Sequence, residues 1–234
     1  MKPLAGVKAL LFDFDNTLVD SASAVGIAHL KTAEAIVADC NLEVQPANVA
    51  EIISQVEREM EEQLRFDRDQ YWHHVLKRLG VADIPENSPS RWSELYWRHY
   101  STAAVFPDVE PTLSKLVRTH RLGMVTNTDG KPGLKRRRLE IYDLTRFFEV
   151  VVVAGDDVGE VKPSLQPFLK AAEMLNVSPR DCAMVGDHPR NDVAGARAAG
   201  MTAVLLARRG RSGYSGDVSA DLVIGSLSEL LLIV

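Results

Sequence analysis

The sequence predicts a doubly wound α/β fold of the Rossmann-like kind, a parallel sheet interrupted by an inserted all-helical cap. Three observations carry this expectation. Short apolar, β-branched runs recur as ALLF (9–12), LGMVT (122–126), VVVVA (150–154), CAMVG (182–186), TAVLLA (202–207) and ADLVIG (220–225), the pattern of strands buried on both faces. Helical spacing separates the later runs, and such alternation builds a parallel sheet with right-handed crossovers. Residues 21–104 contain no strand-like run at all.

ALLF opens the sheet. In the insertion, Val49, Ile52, Ile53, Val56, Met60 and Leu64 mark one helix, Tyr71, Trp72, Val75, Leu76 and Leu79 a second, and Trp92, Leu95, Tyr96 and His99 a third, because apolar residues three and four apart share one helical face. Gly80 and DIPENSPS (83–90) supply turns, and FPDVEP (106–111) marks re-entry into the sheet domain. Leu113, Leu116 and Val117 predict a helix before the second strand. Leu165, Phe168, Leu169, Ala172 and Leu175 predict another, and Val193, Ala196 and Ala199 a further one closed by Gly200. Near the C-terminus Ser226 and Glu229 have capping-box spacing. The expected division is a core domain of 1–20 and 105–234 with a cap of 21–104.

Composition narrows the function classes. With 27 basic and 32 acidic residues in 234, the net charge of −5 offers no bulk attraction to nucleic acid or anionic lipid. Cys40 and Cys182 show no metal-type spacing, which suits a reducing compartment and predicts a cytoplasmic protein. The opening MKPLAGVKALLF has too short an apolar stretch for a signal peptide, and no run approaches the ~18 apolar residues of a membrane span. The expected state is a monomer or homodimer acting on a small molecule.

Ligands of doubly wound sheets bind beyond the carboxyl ends of the strands. Asp13 follows ALLF, Thr126 and Asn127 end LGMVTN, Lys162 lies in the loop after VVVVA, and Asp187 follows CAMVG, so four strand ends can converge on one site. This set suits phosphoryl transfer. Asp13 can attack phosphorus and form an aspartyl phosphate. Carboxylates facing a phosphate need a compensating cation, and Mg²⁺, which prefers hard oxygen ligands, can be held by Asp13 and Asp187. Lys162 adds positive charge and Thr126 a hydroxyl donor where charge spreads in the transition state. Asp15 reads as the general acid and base, its pKa raised by the neighbouring carboxylate.

At these residues the chain resembles the haloacid dehalogenase-like hydrolases, in particular their phosphatases. FDFDNTLVD is similar to the family's first motif, VTNT to the second, GEVKPS to the third and GDHPRNDVAGARAAG to the fourth. The resemblance implies Asp13 as nucleophile, Asp15 as acid and base, and phosphate held by Thr126 and the Asn127 backbone. It also implies Mg²⁺ held by Asp13, Asp187 and the Asp15 carbonyl, with Asp192 orienting Lys162 from outside that shell. The insertion resembles the helical cap that closes over small substrates. Asn16 stands where many relatives have glycine, and the pair His188 and Pro189 has no assigned role.

The reaction so implied is Mg²⁺-dependent hydrolysis of a small phosphorylated metabolite of the phosphoglycolate, triose phosphate or sugar phosphate class. A mutase and a dehalogenase share the fold, although Asp15 argues against dehalogenation. From another class, a receiver-like phosphate-accepting switch uses similar residues, but in about 120 residues with its aspartate after the third strand. Other features read more plainly. KRRR (135–138) is expected to be a solvated helix face rather than a nucleic-acid site, and Lys131 a surface lysine. His73, His74 and His99 are expected in packing or surface roles. Trp72, Trp92, Trp97, Tyr71, Tyr96 and Tyr100 are expected to pack between cap helices, with a substrate pocket or subunit contact as alternatives.

Overall fold

The computed structural model describes residues 4–208 and 219–234; residues 1–3, part of the stretch weighed as a leader, lie outside them. In chain order the elements are β1 (Ala9–Phe12), α1 (Ser21–Asp39), α2 (Pro46–Glu62), α3 (Arg68–Arg78), α4 (Ser88–Tyr100) and α5 (Val109–Leu116). There follow β2 (Arg121–Asn127), α6 (Leu134–Ile141), β3 (Val150–Ala154), α7 (Gln166–Met174) and β4 (Cys182–Gly186). α8 (Gly195–Ala198), β5 (Thr202–Leu206), β6 (Leu222–Ile224) and α9 (Leu230–Ile233) complete the order.

One compact unit comprises Met1–Val19, Val105–Thr128 and Lys135–Val234. Its six strands pair in parallel in the order β3-β2-β1-β4-β5-β6. Strand order reverses direction at β1, so the carboxyl ends of β1 and its neighbour β4 flank the topological switch point. β1 and β4, at the centre of the sheet, are apolar and buried at every position. Phe168 of α7 is fully buried in one core layer with Leu11, Val125 and Val152; burying such a side chain contributes about 1.5–3 kcal/mol. β2 runs one residue further at each end than its apolar run. At the start Arg121 pairs with Ala9 and its Nε donates to Glu149 Oε2 at 2.9 Å.

The second unit comprises Asp20–Ala104 and Asp129–Leu134. It contains the three expected helices and a fourth, α1, which apolar periodicity missed. Its buried positions are Ser21, Ala24, Ala28, His29, Thr32, Ala33 and Ile36. Small and polar residues at the packing positions leave almost no hydrophobic stripe, and α1 is made legible instead by Asp20, whose side chain accepts from the Ser23 amide. Residues 129–134, expected in the sheet domain, group with the helices. Gly130, at φ +92°, lies so close to Phe66 that a Cβ would meet its carbonyl oxygen at 2.2 Å, and Lys131 pairs with Asp69 at 2.6 Å.

The aromatic residues do pack between helices. Trp72, Trp92, Tyr71 and Tyr96 are buried, while His73 and His74 are exposed. Among them lies a polar network that no sequence pattern announced. Glu57 accepts from Arg68 Nη2 at 2.7 Å and from the Tyr96 hydroxyl at 2.9 Å, and its second oxygen meets His29 Nε2. The Arg68 guanidinium stacks 3.6 Å over the Tyr96 ring. Burial pushes the Glu57 carboxyl up, but Arg68 and His29 outweigh it and bring it down from 4.5 to about 2. Removing one partner of a buried pair strands the other charge. Glu57→Ala should therefore destabilise the helical unit by about 3–5 kcal/mol, read by urea unfolding from tryptophan fluorescence, since all three tryptophans belong to that unit. In the wild type this stabilisation is present above pH 4.5 and is lost as pH falls toward 2. An unchanged midpoint in the variant would show that the network carries no weight.

Candidate active site

β1 and β4 deliver two carboxylates to adjacent strand ends. Asp13 follows β1, with its amide donating to the Val185 carbonyl of β4 at 3.0 Å, and Asp187 follows β4. Thr126 and Asn127 close β2, Thr126 buried and Asn127 half-buried.

Lys162 enters from the loop after β3, and its side chain is 3% exposed. It donates to Asp13 Oδ1 at 2.6 Å, Asp192 Oδ1 at 2.7 Å and the Val125 carbonyl at 3.0 Å. Those are all three donors of a lysine. The Asn127 side chain accepts from the Lys162 amide at 2.8 Å, fixing the loop that carries it.

Asp192 stands in a π-helical turn, Pro189–Ala194, that leads into α8. His188 caps this turn: its Nδ1 accepts from the Asn191 amide at 3.2 Å, and its own amide donates to Asp192 Oδ2 at 3.0 Å. Pro189 takes the first position of the turn, where no amide donor is required. These are the roles the sequence left unassigned. Both Asp192 oxygens are engaged, one by the Lys162 ammonium and one by the His188 amide. Gly186 makes room for it, since a Cβ there would lie 2.2 Å from Asp192 Oδ2.

Carboxylate oxygens of Asp13, Asp187 and Asp192 lie within 4.8 Å of one another. One ammonium faces three carboxylates, which leaves an excess of negative charge in a buried place. Burial pushes the Asp13 carboxyl up to about 6 against the pull of Lys162. Asp187 is held well above the usual carboxylate range by burial and by Asp13 and Asp192. An all-oxygen, anionic donor set of this kind fits a hard divalent cation.

Asp15 departs from expectation. Its neighbour does not govern it, because α6 turns Lys135 and Arg138 onto its carboxylate. Arg138 Nη1 donates to Oδ1 at 2.8 Å and Nη2 to Oδ2 at 2.6 Å, and Lys135 Nζ donates to Oδ2 at 2.8 Å. Burial alone would raise its pKa, but Arg138 and Lys135 hold the carboxyl well below the usual range. The reading of 135–138 as a solvated face is corrected with it. Arg136 and Arg137 are exposed, whereas Lys135 and Arg138, one turn apart, are buried. Asn16 then reverses the chain at φ 59°, a left-handed conformation that asparagine tolerates.

Known proteins bear on this geometry. The family described as haloacid dehalogenase-like hydrolase matches residues 7–200. A phosphoglycolate phosphatase of Shigella boydii is 31% identical over 99% of the chain and 94% of its own length. A phosphoserine phosphatase of Thermus thermophilus is 33% identical over 70% of the chain, a match spanning 64% of that enzyme. The crystal structure of a 2-haloacid dehalogenase from Pseudomonas syringae superposes with a TM-score of 0.71 at 30% identity, covering 97% of both chains.

Gly186→Ala tests how tightly this arrangement is built. The added methyl has no room unless Asp192 moves. The substitution should lower stability by about 1–3 kcal/mol, as overpacking does, and should release Lys162 from one partner. Urea unfolding and the position of Asp192 in a crystal structure of the variant read these outcomes; unchanged stability with Asp192 in place would show slack where none is described.

Proposed function

Because this chain belongs to the haloacid dehalogenase-like hydrolases, we propose that it is a Mg²⁺-dependent phosphatase hydrolysing a small phosphorylated metabolite of the phosphoglycolate, triose phosphate or sugar phosphate class. The observation that carries the reading is the convergence of Asp13, Lys162 and Asp192, with Asp187 beside them, at the carboxyl ends of neighbouring strands β1 and β4. The named activities of the phosphoglycolate and phosphoserine phosphatases support it. The dehalogenase likeness is met by Asp15, an acid that the dehalogenase branch generally lacks.

In the proposed reaction an Asp13 carboxylate oxygen bonds to phosphorus as the ester P–O bond breaks. The departing alkoxide takes its proton from Asp15, which has to acquire that proton as substrate binds, since Arg138 and Lys135 hold the carboxyl ionised in the free protein. Water then attacks phosphorus, gives a proton to Asp15, and the acyl–phosphate bond breaks, so phosphate leaves and both acids return to their starting forms. Lys162, held by Asp192, and Thr126 offer donors to the phosphoryl oxygens, along with the Asn127 backbone. Asp13, Asp187 and the Asp15 carbonyl would hold Mg²⁺, which when bound offsets the charge of the phosphate. The proposal extends to a cytoplasmic monomer or homodimer: both cysteines are free thiols. Among the described residues no helix is long and apolar enough to cross a membrane.

The test is release of phosphate from p-nitrophenyl phosphate and from a panel of small phosphorylated acids, trioses and sugars. Turnover should stop in EDTA, return with Mg²⁺ and return poorly with Ca²⁺, whose larger shell misplaces the reacting groups. Asp13→Asn should lose at least about 10³-fold in kcat, as removal of a nucleophile does. Full activity in EDTA would refute the metal. Labelling of Asp13 without turnover would favour the phosphate-accepting switch.

A further inference from the structure

We propose that Arg138 and Lys135 are positioning residues for Asp15, fixing the orientation of its carboxylate so that proton transfer depends on helix α6. The inference rests on the reading of Asp15 as the group that moves protons, and it adds two residues that lie 120 and 123 positions away in sequence.

The geometry is specific. Arg138 grips both Asp15 oxygens with separate nitrogens, at 2.8 and 2.6 Å, so the plane of the carboxylate is set as well as its place. Lys135 adds a third bond at 2.8 Å to Oδ2. Both cations have side chains no more than 4% exposed, whereas the Asp15 side chain is 21% exposed. The carboxylate is thus held by two buried cations and is itself partly exposed. Arg138 is braced in turn: its guanidinium lies 5.3 Å from the centre of the Phe14 ring, which meets Tyr142 edge-on at 5.3 Å. A fixed carboxylate is what such an arrangement supplies, because an acid or base must stand within hydrogen-bond reach of the atom it serves.

The experiment compares Arg138→Met, Arg138→Lys, Lys135→Met and the exposed control Arg137→Met, each in the wild type and in Asp15→Asn. Two substrates are used: an alkyl phosphate, whose leaving group needs a proton, and p-nitrophenyl phosphate, whose leaving group does not. Loss of a proton-transfer group costs roughly 10²–10⁴-fold, so Arg138→Met should lower kcat for the alkyl phosphate by on the order of 10-fold or more. It should change p-nitrophenyl phosphate turnover far less and leave KM nearly alone. Arg138→Lys should recover part of the loss and Arg137→Met should show none. In Asp15→Asn, Arg138→Met should add almost nothing, because the two act as one unit. Losses that are equal for both substrates, or that multiply in the double variant, would overturn the inference by making these residues merely structural or direct substrate contacts. A crystal structure of Arg138→Met, or of Lys135→Met if the former does not fold, gives a reading independent of activity: Asp15 unmoved in it would also overturn the inference. Absence of phosphate release by the wild type, with Asp15 displaced in the variant, would instead refute the phosphatase reading alone.

Discussion

The ammonium of Lys162 is the point on which the sheet unit's active end depends. It is buried, so each of its three donors requires an acceptor, and it finds them on three separate elements: Asp13 beyond β1, the Val125 carbonyl of β2 and Asp192 in the turn after β4. A buried lysine with one partner missing would be a liability of several kcal/mol. The neighbouring details follow from that demand. Asn127 holds the Lys162 amide, His188 and Pro189 start the turn that presents Asp192, and Gly186 leaves the space Asp192 occupies.

Two aspartates separated by one residue occur in opposite electrostatic settings. Asp13 belongs to a group with more carboxylates than cations, and burial raises its pKa to about 6. Asp15 faces an arginine and a lysine, and its pKa is driven well below the usual range. Between those values the two carboxyls differ in protonation at the same pH. Phe14, fully buried between them in the chain, packs its ring against Arg138 and Tyr142.

The helical unit follows a different logic. Its core is aromatic, and at its centre Glu57 gathers Arg68, His29 and Tyr96 around one carboxylate. Among the described residues Arg68 Nε and Nη1 find no hydrogen-bond partner; the guanidinium lies instead against the rings of Tyr96, Tyr71 and Trp97. Polar networks of this kind set a unique packing at the expense of stability that an apolar core would supply more simply.

The sequence by itself determined the α/β class, all six strands within a few residues, and the residues that gather at the strand ends. Those features are local. A buried strand must be apolar over its own length, and the reactive residues lie just after it or in the loop that follows, so both can be read along the chain. Helix α1 escaped because alanine, serine and threonine at its packing positions carry no apolar period. The grouping of 129–134 with the helices depended on Gly130 meeting Phe66 and Lys131 meeting Asp69, contacts across more than 60 residues. Only the tertiary structure decided the state of Asp15. Its sequence neighbour Asp13 argues for a raised pKa, but Coulomb energy depends on separation in space. The charges nearest to it in space come from α6, where KRRR reads as an ordinary solvated run until the fold turns two of its four side chains inward.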